Sequence, residues 1–565
     1  MSMVSWDHSV DFLVVGSGAA GMTAALRAHD LGGETLVVEK SPLFGGSTAL
    51  SGGVVWVPNN PLMARAGISD SAEEALRYLE SVTAGSSTTD KLRAYVETAP
   101  RMMLTLAECS HVHFECVEGY PDYYPEEAGG KRGGRSCEPA LFDGLRLGDE
   151  IERMRLLDKK QLILGGRLTV KVADSKALMA GGWPVARFML RGLFSYYTNL
   201  RARRKRLVNT NFSLGSALAG RLRLSLMDRA VPLWLDTPLE DLIADEGRIV
   251  GALVEREGRP FRIQAKKGVL LAAGGFERNL EMRQRYQPAP TSDRWTAGCE
   301  TNTGDTVAPA LAKGASLDLM DEAWWCPSML IPSTDPVRVV IYEKNLPGGI
   351  IVDRRGRRFM NEAEPYNDVG KSMYRANTSE GLAIPAFLVF DGTFRKKYAC
   401  GPMLPGATTP DWALPKVLEG NFFEKSQSLD GLARKIGVDA DGLIETLRSF
   451  NEFARTGRDP DFGRGDSLQD RYYTAKAEGP NPSLGPIEKP PFYAVKVYPG
   501  DLGTKGGFRT DARARVLTDT DEVIPDLYAA GNCSAAVMGR TYPGAGGTIG
   551  PAMTFGYIAA EHALG

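Results

Sequence analysis

A glycine-rich turn near the start of the chain, between an apolar run and an amphipathic run, constrains the fold more than any other feature. The run Val10–Val15 is predicted as a buried strand, GSGAAG follows at 16–21, and MTAALRAHDLG then carries apolar side chains at helical spacing. The next predicted strand, within ETLVVEK, ends at Glu39, 23 residues after Gly16. The segment therefore predicts one complete strand–turn–helix–strand unit.

Each glycine of this turn has its own steric reason in a unit that binds a dinucleotide. Gly16 permits the tight turn, Gly18 lets the backbone approach a pyrophosphate, and Gly21 lets the helix pack against the strand. The helix N-terminus presents free N–H groups to the phosphates, and Glu39 lies where a carboxylate accepts hydrogen bonds from a ribose. A glycine-rich turn in some other α/β unit is the alternative, but strand, helix and terminal acid are all in place, which favours dinucleotide binding.

Further segments extend this unit. The loop SPLFGGSTALSGG at 41–53 combines glycines with hydroxyl side chains, which suits backbone lying against a bound cofactor. Residues 230–255 read as strands split by an acidic turn. A buried strand and a glycine turn are predicted at 267–279, and another strand, ending in Gly-Asn, at 523–534.

The segment between these strands is richer in tryptophan, proline and charge, and it predicts a second domain. We expect an α/β fold in which a Rossmann-like dinucleotide-binding domain covers 1–280 and 491–565. An inserted α+β substrate domain at 281–490 is expected to cap it. A stretch at about 150–225 has no predicted place in either domain and is treated as an insertion that contacts a membrane or a partner.

Composition bounds the class of protein. The 565 residues are 43% hydrophobic and 24% charged, which is ordinary for a globular protein, and the net charge of -2 selects neither nucleic acid nor an acidic substrate. The sequence shows no signal peptide and no run of about 18 apolar residues. We therefore expect a cytoplasmic protein that does not bind nucleic acid.

Cysteine and histidine argue against a metal site. The seven cysteines form no CxxC pair, and reduced, buried thiols are the expectation. Among the five histidines, only His111 and His113 lie close together, and no third ligand accompanies them at a sensible spacing. We predict neither a metal site nor a histidine-based mechanism.

Six motifs occur in the same order as in the fumarate reductase/succinate dehydrogenase superfamily of flavoproteins, which the chain resembles: VVGSGAAG, GGSTALSGG, LAAGGF, NTGD, GRRFMNE and LYAAGN. The resemblance implies FAD as cofactor. We expect FAD to be bound non-covalently, because the loop at 41–53 holds no histidine or cysteine to bond it. The resemblance places these residues around FAD: Gly16, Ser17, Gly18, Ala19, Ala20, Gly21, Glu39, Lys40, Gly45, Gly46, Ser47, Thr48, Ser51, Gly52, Gly53, Ala273, Gly274, Asn302, Asp305, Gly531, Asn532, Gly547 and Ile549.

Within that superfamily the chain most resembles the 3-ketosteroid Δ1-dehydrogenases. The resemblance rests on four motifs: GGVVWVPNN, PDYYPE, DLGTKGG and GRTYPGAGGTIGP. It implies FAD-dependent 1,2-desaturation of a 3-ketosteroid, with a quinone or another external compound as electron acceptor. The catalytic residues that it implies are Tyr123, Tyr366, Tyr542 and Gly546.

These residue types suit the chemistry. Desaturation beside a ketone removes a proton from carbon 2 and a hydride from carbon 1, and the proton is acidic only while the carbonyl oxygen is stabilised. The hydroxyl of Tyr542 and the backbone N–H of Gly546 would supply that stabilisation. Tyr366 would be the base, and Tyr123 would share its charge. Tyr342 is a competing base that ranks lower.

Three other functions remain as alternatives. A Δ4-(5α) ketosteroid dehydrogenase shares much of the pattern, and only Tyr123 favours the Δ1 class. A fumarate reductase-like C4-dicarboxylate enzyme would carry an arginine at the position that Tyr366 occupies. A non-enzymatic prenyl-protein escort on the same fold need not keep Gly16, Gly18 and Gly21, so their presence opposes it.

A basic, aromatic segment at 183–206, WPVARFMLRGLFSYYTNLRARRKR, predicts an interfacial helix. It holds seven basic residues and no acid, and its apolar residues recur at steps of three and four: Val185, Phe188, Met189, Leu193, Tyr196, Tyr197 and Leu200. Such a helix suits peripheral contact with anionic lipid at the inner face of the cell membrane. The alternative is an amphipathic helix that packs on its own domain or on a second subunit of an oligomer, with the arginines solvated.

Overall fold

A computed structural model describes residues 5–157, 167–174, 183–198, 209–332, 337–474, 477 and 479–565. Its α-helices are Ala19–Asp30, Gly46–Leu50, Pro61–Arg65, Ala72–Thr83, Thr89–Cys109, Trp183–Thr198, Leu214–Asp228, Leu280–Tyr286, Val307–Leu311, Tyr366–Ala376, Gly392–Lys397, Leu429–Ile436, Ala440–Thr456, Leu468–Arg471 and Ile549–Leu564. Short 3-10 helices are Gly144–Arg153, Glu343–Asn345, Asp411–Ala413 and Gly531–Cys533.

The central sheet is built around the predicted N-terminal unit. Its strands are His8–Val15, Thr35–Val38, Leu233–Trp234, Leu239–Asp245, Arg248–Arg256, Arg259–Leu271, Arg515–Leu517 and Val523–Ala529. His8–Val15 lies between Thr35–Val38 and Arg259–Leu271 and is parallel to both, and Val523–Ala529 continues the parallel order on the far side of Arg259–Leu271. The predicted α/β fold with a Rossmann-like core is confirmed.

Smaller sheets surround this core. A four-stranded antiparallel sheet contains Gly349–Val352, Ala386–Phe390, Phe492–Val497 and Phe423–Ser426, and a three-stranded sheet contains Val55–Trp56, Ser136–Pro139 and Phe114–Cys116. Two-stranded pairs are Leu317–Asp318 with Gly507–Phe508, Ala323–Trp325 with Asp501–Thr504, Ser328–Met329 with Arg338–Val339, and Phe142–Asp143 with Asn211–Phe212. The domain limits at residues 280 and 490 stay predictions.

The first helix, Ala19–Asp30, packs against the last, Ile549–Leu564, although they lie at opposite ends of the sequence. The helices meet so closely that a Cβ atom added at Gly556 would lie 2.4 Å from the carbonyl oxygen of Ala20. A larger residue at 556 would push the helices apart. The two ends of the sequence therefore meet on one side of the central sheet.

The predicted interfacial segment is helical over Trp183–Thr198. Its remaining residues, 199–206, lie outside the described part of the chain, as does much of the predicted insertion at about 150–225. Wherever the structure describes a helix, that helix is too short or too polar to cross a bilayer.

Candidate active site

The predicted dinucleotide turn has the geometry that its sequence requires. Gly16 adopts a φ of 111°, and a Cβ atom there would lie 2.4 Å from the carbonyl oxygen of Ala272. A Cβ at Gly21 would lie 2.0 Å from the carbonyl oxygen of Gly16, so the helix can approach the turn only with glycine at this position. At Gly18 the nearest atom to such a Cβ is 3.7 Å away, so this side of the turn is open for a ligand.

Glu39 fixes the turn through hydrogen bonds within the protein. Its carboxylate accepts from the backbone N–H and the hydroxyl of Ser17, at 3.1 and 2.6 Å, and from the backbone N–H of Ser41 at 3.0 Å. The neighbouring Lys40 donates to Thr303 at 2.6 Å and forms an ion pair with Asp305. Glu39 therefore connects the end of the strand Thr35–Val38 to the glycine turn, and Lys40 connects it to the segment at 302–305.

The hydroxyl-rich loop at 41–53 lies against the turn. Thr48 accepts a hydrogen bond from the backbone N–H of Ala19 at 3.0 Å, and the Ser51 hydroxyl donates to the Thr48 carbonyl at 2.7 Å. These hydroxyls hold the loop in place. A Cβ at Gly46 would meet nothing within 4 Å, and one at Gly52 only a side-chain methyl 3.9 Å away. These glycines leave an open, backbone-lined surface beside Gly18.

Other predicted cofactor residues join this surface. Ser47 accepts a hydrogen bond from the side chain of Asn302 at 3.1 Å, and Asn302 in turn lies where a Cβ at Gly274 would meet it at 2.6 Å. The Ala273 backbone N–H is bound by the sulfur of Cys533 at 2.9 Å. These contacts place Ala273 and Gly274, which follow the strand Arg259–Leu271, next to the loop at 41–53.

The segment at 531–549 completes the site. A Cβ at Gly531 would lie 3.4 Å from the Cβ of Ala20, so this segment contacts the first helix directly. A cavity here is lined by Trp324, Gly531, Asn532, Gly547, Thr548 and Pro551, and Ile549 begins the last helix. We call the open backbone at Gly18, Gly46 and Gly52, together with this cavity, the glycine-lined surface; it fits a dinucleotide bearing a flat ring.

Three tyrosines lie in mutual contact beside this cavity. The ring centroids of Tyr123 and Tyr366 are 5.5 Å apart, those of Tyr123 and Tyr542 are 5.3 Å apart, and those of Tyr366 and Tyr542 are 5.5 Å apart. All three pairs are edge-to-face, which aromatic rings favour. We call this set the tyrosine trio. Residues that are far apart in the sequence are thus brought to one point.

Local structure explains how each member of the trio is held. Pro543 offers its carbonyl to the backbone N–H of Tyr123 at 2.9 Å and to the hydroxyl of Tyr78 at 2.6 Å, which ties the loop of Tyr123 to the segment after Tyr542. Tyr366 is the first residue of the helix Tyr366–Ala376. The positive end of that helix dipole favours a negative charge near its first turn.

The hydroxyls of the trio are buried, and burial governs their protonation. Burial raises the pKa of Tyr123 and of Tyr366 well above the usual value. Burial also raises the pKa of Tyr542, against the opposing effect of hydrogen bonds from Thr548, Tyr366 and the Gly546 backbone. The Tyr123 hydroxyl has no hydrogen-bond partner of normal geometry, so this buried polar atom has capacity left for a ligand or for Tyr366.

Gly546 and Tyr542 converge on one point. The backbone of Gly546 has a φ of 98°, and a Cβ there would lie 2.5 Å from the backbone nitrogen of Trp56, so only glycine fits. The Gly546 carbonyl is used by the backbone N–H groups of Trp56 and Gly550, at 3.1 and 2.9 Å. The Gly546 backbone lowers the pKa of Tyr542, against the effect of burial, so its N–H lies beside the Tyr542 hydroxyl. The two groups are therefore neighbours.

The rival base, Tyr342, lies outside the trio. Its ring packs edge-on against Tyr473 at 5.0 Å, and the Tyr473 hydroxyl is hydrogen-bonded to that of Tyr120 at 2.6 Å. Ring contacts lead from Tyr342 through Tyr473, Tyr120 and Tyr123 to Tyr366, so three other tyrosines lie between the two. No metal site accompanies the trio: across the described ranges, no group of three or more His, Cys, Asp or Glu side chains is arranged to hold an ion.

Two residues near the trio were missed by the sequence reasoning. The ring of Trp324 packs on Tyr542 with centroids 4.9 Å apart, and its N–H donates to Asn532 at 3.1 Å. Lys505 places its ammonium 4.6 Å from the centre of the Trp324 ring. Trp324 lies in the segment DEAWWCP at 321–327, where no local pattern marks it, whereas Lys505 is the one basic residue of the motif DLGTKGG.

Comparisons with known proteins agree with this geometry. Residues 11–549 match the family described as FAD binding domain. The 3-oxosteroid 1-dehydrogenase of Mycolicibacterium smegmatis is 43% identical over 97% of this chain and 96% of its own length. The crystal structure of 3-ketosteroid Δ1-dehydrogenase from Sterolibacterium denitrificans, in complex with 1,4-androstadiene-3,17-dione, is 45% identical, covers 99% of both chains and superposes with a TM-score of 0.95.

A relative with a different name is also close. The 4-oxocyclohex-2-ene-1-carboxylate 5-dehydrogenase of Sinomonas cyclohexanicum is 35% identical over 97% of this chain and 92% of its own length. FAD is the cofactor of this chain, as the matched family and the glycine-lined surface both require. The chain belongs to the 3-oxosteroid 1-dehydrogenase family of FAD-dependent oxidoreductases.

Proposed function

We propose that this enzyme desaturates the bond between carbons 1 and 2 of a 3-ketosteroid. The observation that carries the proposal is the tyrosine trio, with the Gly546 backbone beside the Tyr542 hydroxyl. It combines one candidate base with two donors, which is what removal of a proton beside a ketone requires. The similarity to Δ1-dehydrogenases supports the same choice of bond.

Tyr542 and Gly546 would bind the ketone oxygen. As the proton leaves carbon 2, negative charge develops on that oxygen, and donors placed in a water-poor site stabilise such charge strongly. Trp324 packs on Tyr542, so its hydroxyl has a fixed direction. FAD, when bound, supplies the oxidant that takes the hydride from carbon 1.

Tyr366 would take the proton from carbon 2. Burial raises the pKa of Tyr366, so the phenol loses its proton less readily and needs help to form the phenolate that acts as the base. The N-terminus of its own helix favours the phenolate, and the Tyr123 hydroxyl, which lacks another partner, would donate to it. We propose this as the reason that a second tyrosine lies against the base.

The lining of the site favours a neutral, apolar substrate over a carboxylate. Buried aromatic rings contact the trio: Trp324 packs on Tyr542, and the ring centroids of Tyr120 and Tyr123 are 6.5 Å apart. The arginine that would serve a dicarboxylate is replaced by Tyr366. We therefore propose a steroid and not a 4-oxocyclohexanecarboxylate, although a relative at 35% identity is named for the latter.

Anaerobic bleaching of the bound flavin tests the proposal. The panel contains 3-ketosteroids that are saturated or unsaturated between carbons 4 and 5, with and without a side chain, and 4-oxocyclohexanecarboxylate as the charged member. A steroid already unsaturated at carbons 4 and 5 should bleach the flavin, because only Δ1 activity can use it. Bleaching by 5α-saturated steroids with a 4-ene product would instead assign the Δ4-(5α) reaction. Bleaching by 4-oxocyclohexanecarboxylate alone would contradict the proposal that the substrate is a steroid.

Each turnover removes two electrons from the substrate, and an external acceptor must receive them. We propose a quinone or another small acceptor of this kind. The helix Trp183–Thr198 offers a place where such a hydrophobic compound and a steroid would both be concentrated, because it exposes apolar side chains. Leu190 is 63% exposed, Phe194 71% and Tyr197 51%.

These exposed side chains form one stripe, and cations flank it. Leu190, Phe194 and Tyr197 follow each other at steps of four and three residues, and Arg187 and Arg191 are exposed on the same helix. Apolar side chains beside cations, with no acid in the helix, are complementary to an anionic lipid surface. We propose that the enzyme attaches peripherally to the membrane through this helix.

Co-sedimentation with phosphatidylglycerol vesicles at low salt tests the attachment. The double variant Leu190→Ser, Phe194→Ser should stay in the supernatant while the wild type pellets. Trp412→Ser is the matched control, because Trp412 is 87% exposed and lies elsewhere. Equal recovery of all three proteins would contradict the proposal. A smaller size of the double variant in gel filtration, without any change in vesicle binding, would assign the stripe to a second copy of the chain.

A further inference from the structure

Two cysteines that are 21 residues apart in the sequence face each other across a pair of strands. Cys116, in Phe114–Cys116, is directly opposite Cys137, in Ser136–Pro139, and the strands are antiparallel. Val117 and Ser136 are the next pair of facing residues, and they are hydrogen-bonded: the Val117 N–H donates to the Ser136 carbonyl at 3.0 Å. The cysteines therefore form a pair without mutual backbone hydrogen bonds, in which side chains approach most closely, with Cα atoms about 4.5 Å apart.

The two thiols interact. Both sulfurs lie near the Gly134 carbonyl, at 3.6 Å from Cys116 and 3.9 Å from Cys137. A hydrogen bond from the Cys137 thiol lowers the pKa of Cys116, and the same bond, together with burial, raises the pKa of Cys137. The separation of about 4.5 Å expected for this pair lies within the range of about 4.4–6.8 Å that a disulfide spans.

Access differs between the two thiols. Cys116 is half-buried and Cys137 is fully buried. A partly exposed thiol that is favoured as thiolate is the one that reacts with an oxidant, and a buried thiol in contact with it is placed to resolve the product. The pair thus has a nucleophile and a resolving partner.

The segment between the cysteines carries part of the active site. Residues 117–136 include Tyr123 and Tyr120, and at the end of the segment the Ser136 hydroxyl donates to the Ala545 carbonyl at 2.9 Å, next to Gly546. On its other side the strand of Cys137 pairs with Val55–Trp56. A covalent link between Cys116 and Cys137 would close this segment into a loop.

We propose that Cys116 and Cys137 are a modification site, a dithiol that hydrogen peroxide converts reversibly to a disulfide. The Cys116 thiolate attacks one oxygen of the peroxide, the O–O bond breaks, and Cys116 becomes a sulfenic acid as the first water leaves. The Cys137 sulfur then attacks the Cys116 sulfur, the S–O bond breaks, and the second water leaves. Two thiols lose two electrons and two protons, and one peroxide is reduced to two waters.

The test uses the FAD-loaded enzyme treated with dilute hydrogen peroxide. After quenching, the protein is denatured and alkylated, and its peptides are analysed by mass spectrometry. Of the seven thiols, five should remain alkylatable, with the peptides of Cys116 and Cys137 joined and both thiols restored by dithiothreitol. Cys109→Ser is the matched control, because Cys109 is the exposed cysteine, and it should form the same link.

The single variants separate this result from unspecific oxidation. Cys137→Ser should accumulate sulfenic and then sulfinic acid at Cys116, because its resolving partner is gone. Cys116→Ser should leave Cys137 alkylatable, because that thiol is buried. The proposal is overturned if wild-type Cys116 is oxidised to the sulfinic acid without forming a link to Cys137. It is also overturned if peroxide oxidises Cys116 and Cys137 no faster than the other buried cysteines.

Discussion

The side-chain ammonium of Lys505 donates a hydrogen bond to the carbonyl oxygen of Thr541, at 2.8 Å, directly before Tyr542 in the chain. The same ammonium donates to the side chain of Asn367 at 3.3 Å, directly after Tyr366. One fully buried amino group thus joins Asn367 and Thr541, the chain neighbours of Tyr366 and Tyr542. It also lies over the Trp324 ring, which packs on Tyr542.

We expect Lys505→Met to impair catalysis more than folding. Methionine fills the same space but leaves Thr541 and Asn367 without their shared donor. Tyr366 and Tyr542 are then no longer held at a fixed distance from each other. A misplacement of about 1 Å can cost roughly 100-fold in rate, and we expect a fall in kcat of about 10- to 100-fold with a smaller change in KM. Lys505→Arg should recover part of the rate. A proportional loss of bound FAD and of rate would show that Lys505 only supports the fold.

The stability of the enzyme should depend on pH through Lys505. Burial lowers the pKa of Lys505 to about 7 from its usual 10.5, although Glu322 and Asp368 act in the opposite direction. The unfolded chain therefore binds this proton more tightly than the folded one, so the free energy of unfolding should rise between pH 7 and 10.5. Denaturant unfolding at pH 7 and pH 9 should show a smaller rise in Lys505→Met. An identical rise in both proteins would contradict the assignment.

Tyr366→Phe should keep FAD bound and abolish most of the dehydrogenation. Phenylalanine preserves the edge-to-face packing of the trio but removes the proton acceptor, and loss of a general base costs roughly 100- to 10,000-fold. Because burial raises the pKa of Tyr366, the wild-type rate should rise with pH from neutral to alkaline, and the variant should lose that slope. Tyr342→Phe is the control and should stay near wild type. If the effects of the two variants were exchanged, the base would be Tyr342.

Tyr542→Phe should lower kcat strongly and leave substrate binding largely intact. The hydroxyl is needed most when charge develops on the ketone oxygen, and removal of one such donor costs roughly 100- to 1,000-fold. Steady-state kinetics with a 3-ketosteroid measure the effect. A variant in which only KM rises would show that Tyr542 holds the ground state and does not stabilise the enolate.

FAD should leave the protein on acid precipitation. The loop at 41–53 contains no histidine or cysteine, and the side chains that hold it in place are hydroxyls and an amide. The yellow colour should therefore appear in the supernatant, where its absorbance can be measured. Colour that stays in the pellet would reveal a covalent bond.

The sequence predicted what short-range chemistry decides. Gly16, Gly21 and Glu39 could be identified because a tight turn, a close helix and a terminal acid leave a pattern within 25 or so residues. Tyr123, Tyr366 and Tyr542 were named only through the resemblance, since no local pattern distinguishes a catalytic tyrosine from a buried one. Their roles remain proposals, but the structure brings them together and leaves Tyr342 apart.

Long-range pairing explains what could not be predicted. The facing of Cys116 and Cys137 depends on the register of two strands, and a shift of one residue would turn their side chains to opposite faces. Lys505 was part of a recognised motif, yet its place behind Trp324 depends on the pairing of Ala323–Trp325 with Asp501–Thr504. Register of this kind is set by the whole fold.

The contact between the first and last helices has a consequence for biosynthesis. The glycine turn at 16–21 is made early, but the surface that Gly531, Gly547 and Ile549 contribute is made only when nearly all of the sequence has left the ribosome. A growing chain has half a cofactor site until then. We therefore expect FAD to be captured late, so that the flavin content of a preparation measures the fraction of molecules in which the early and late segments are in contact.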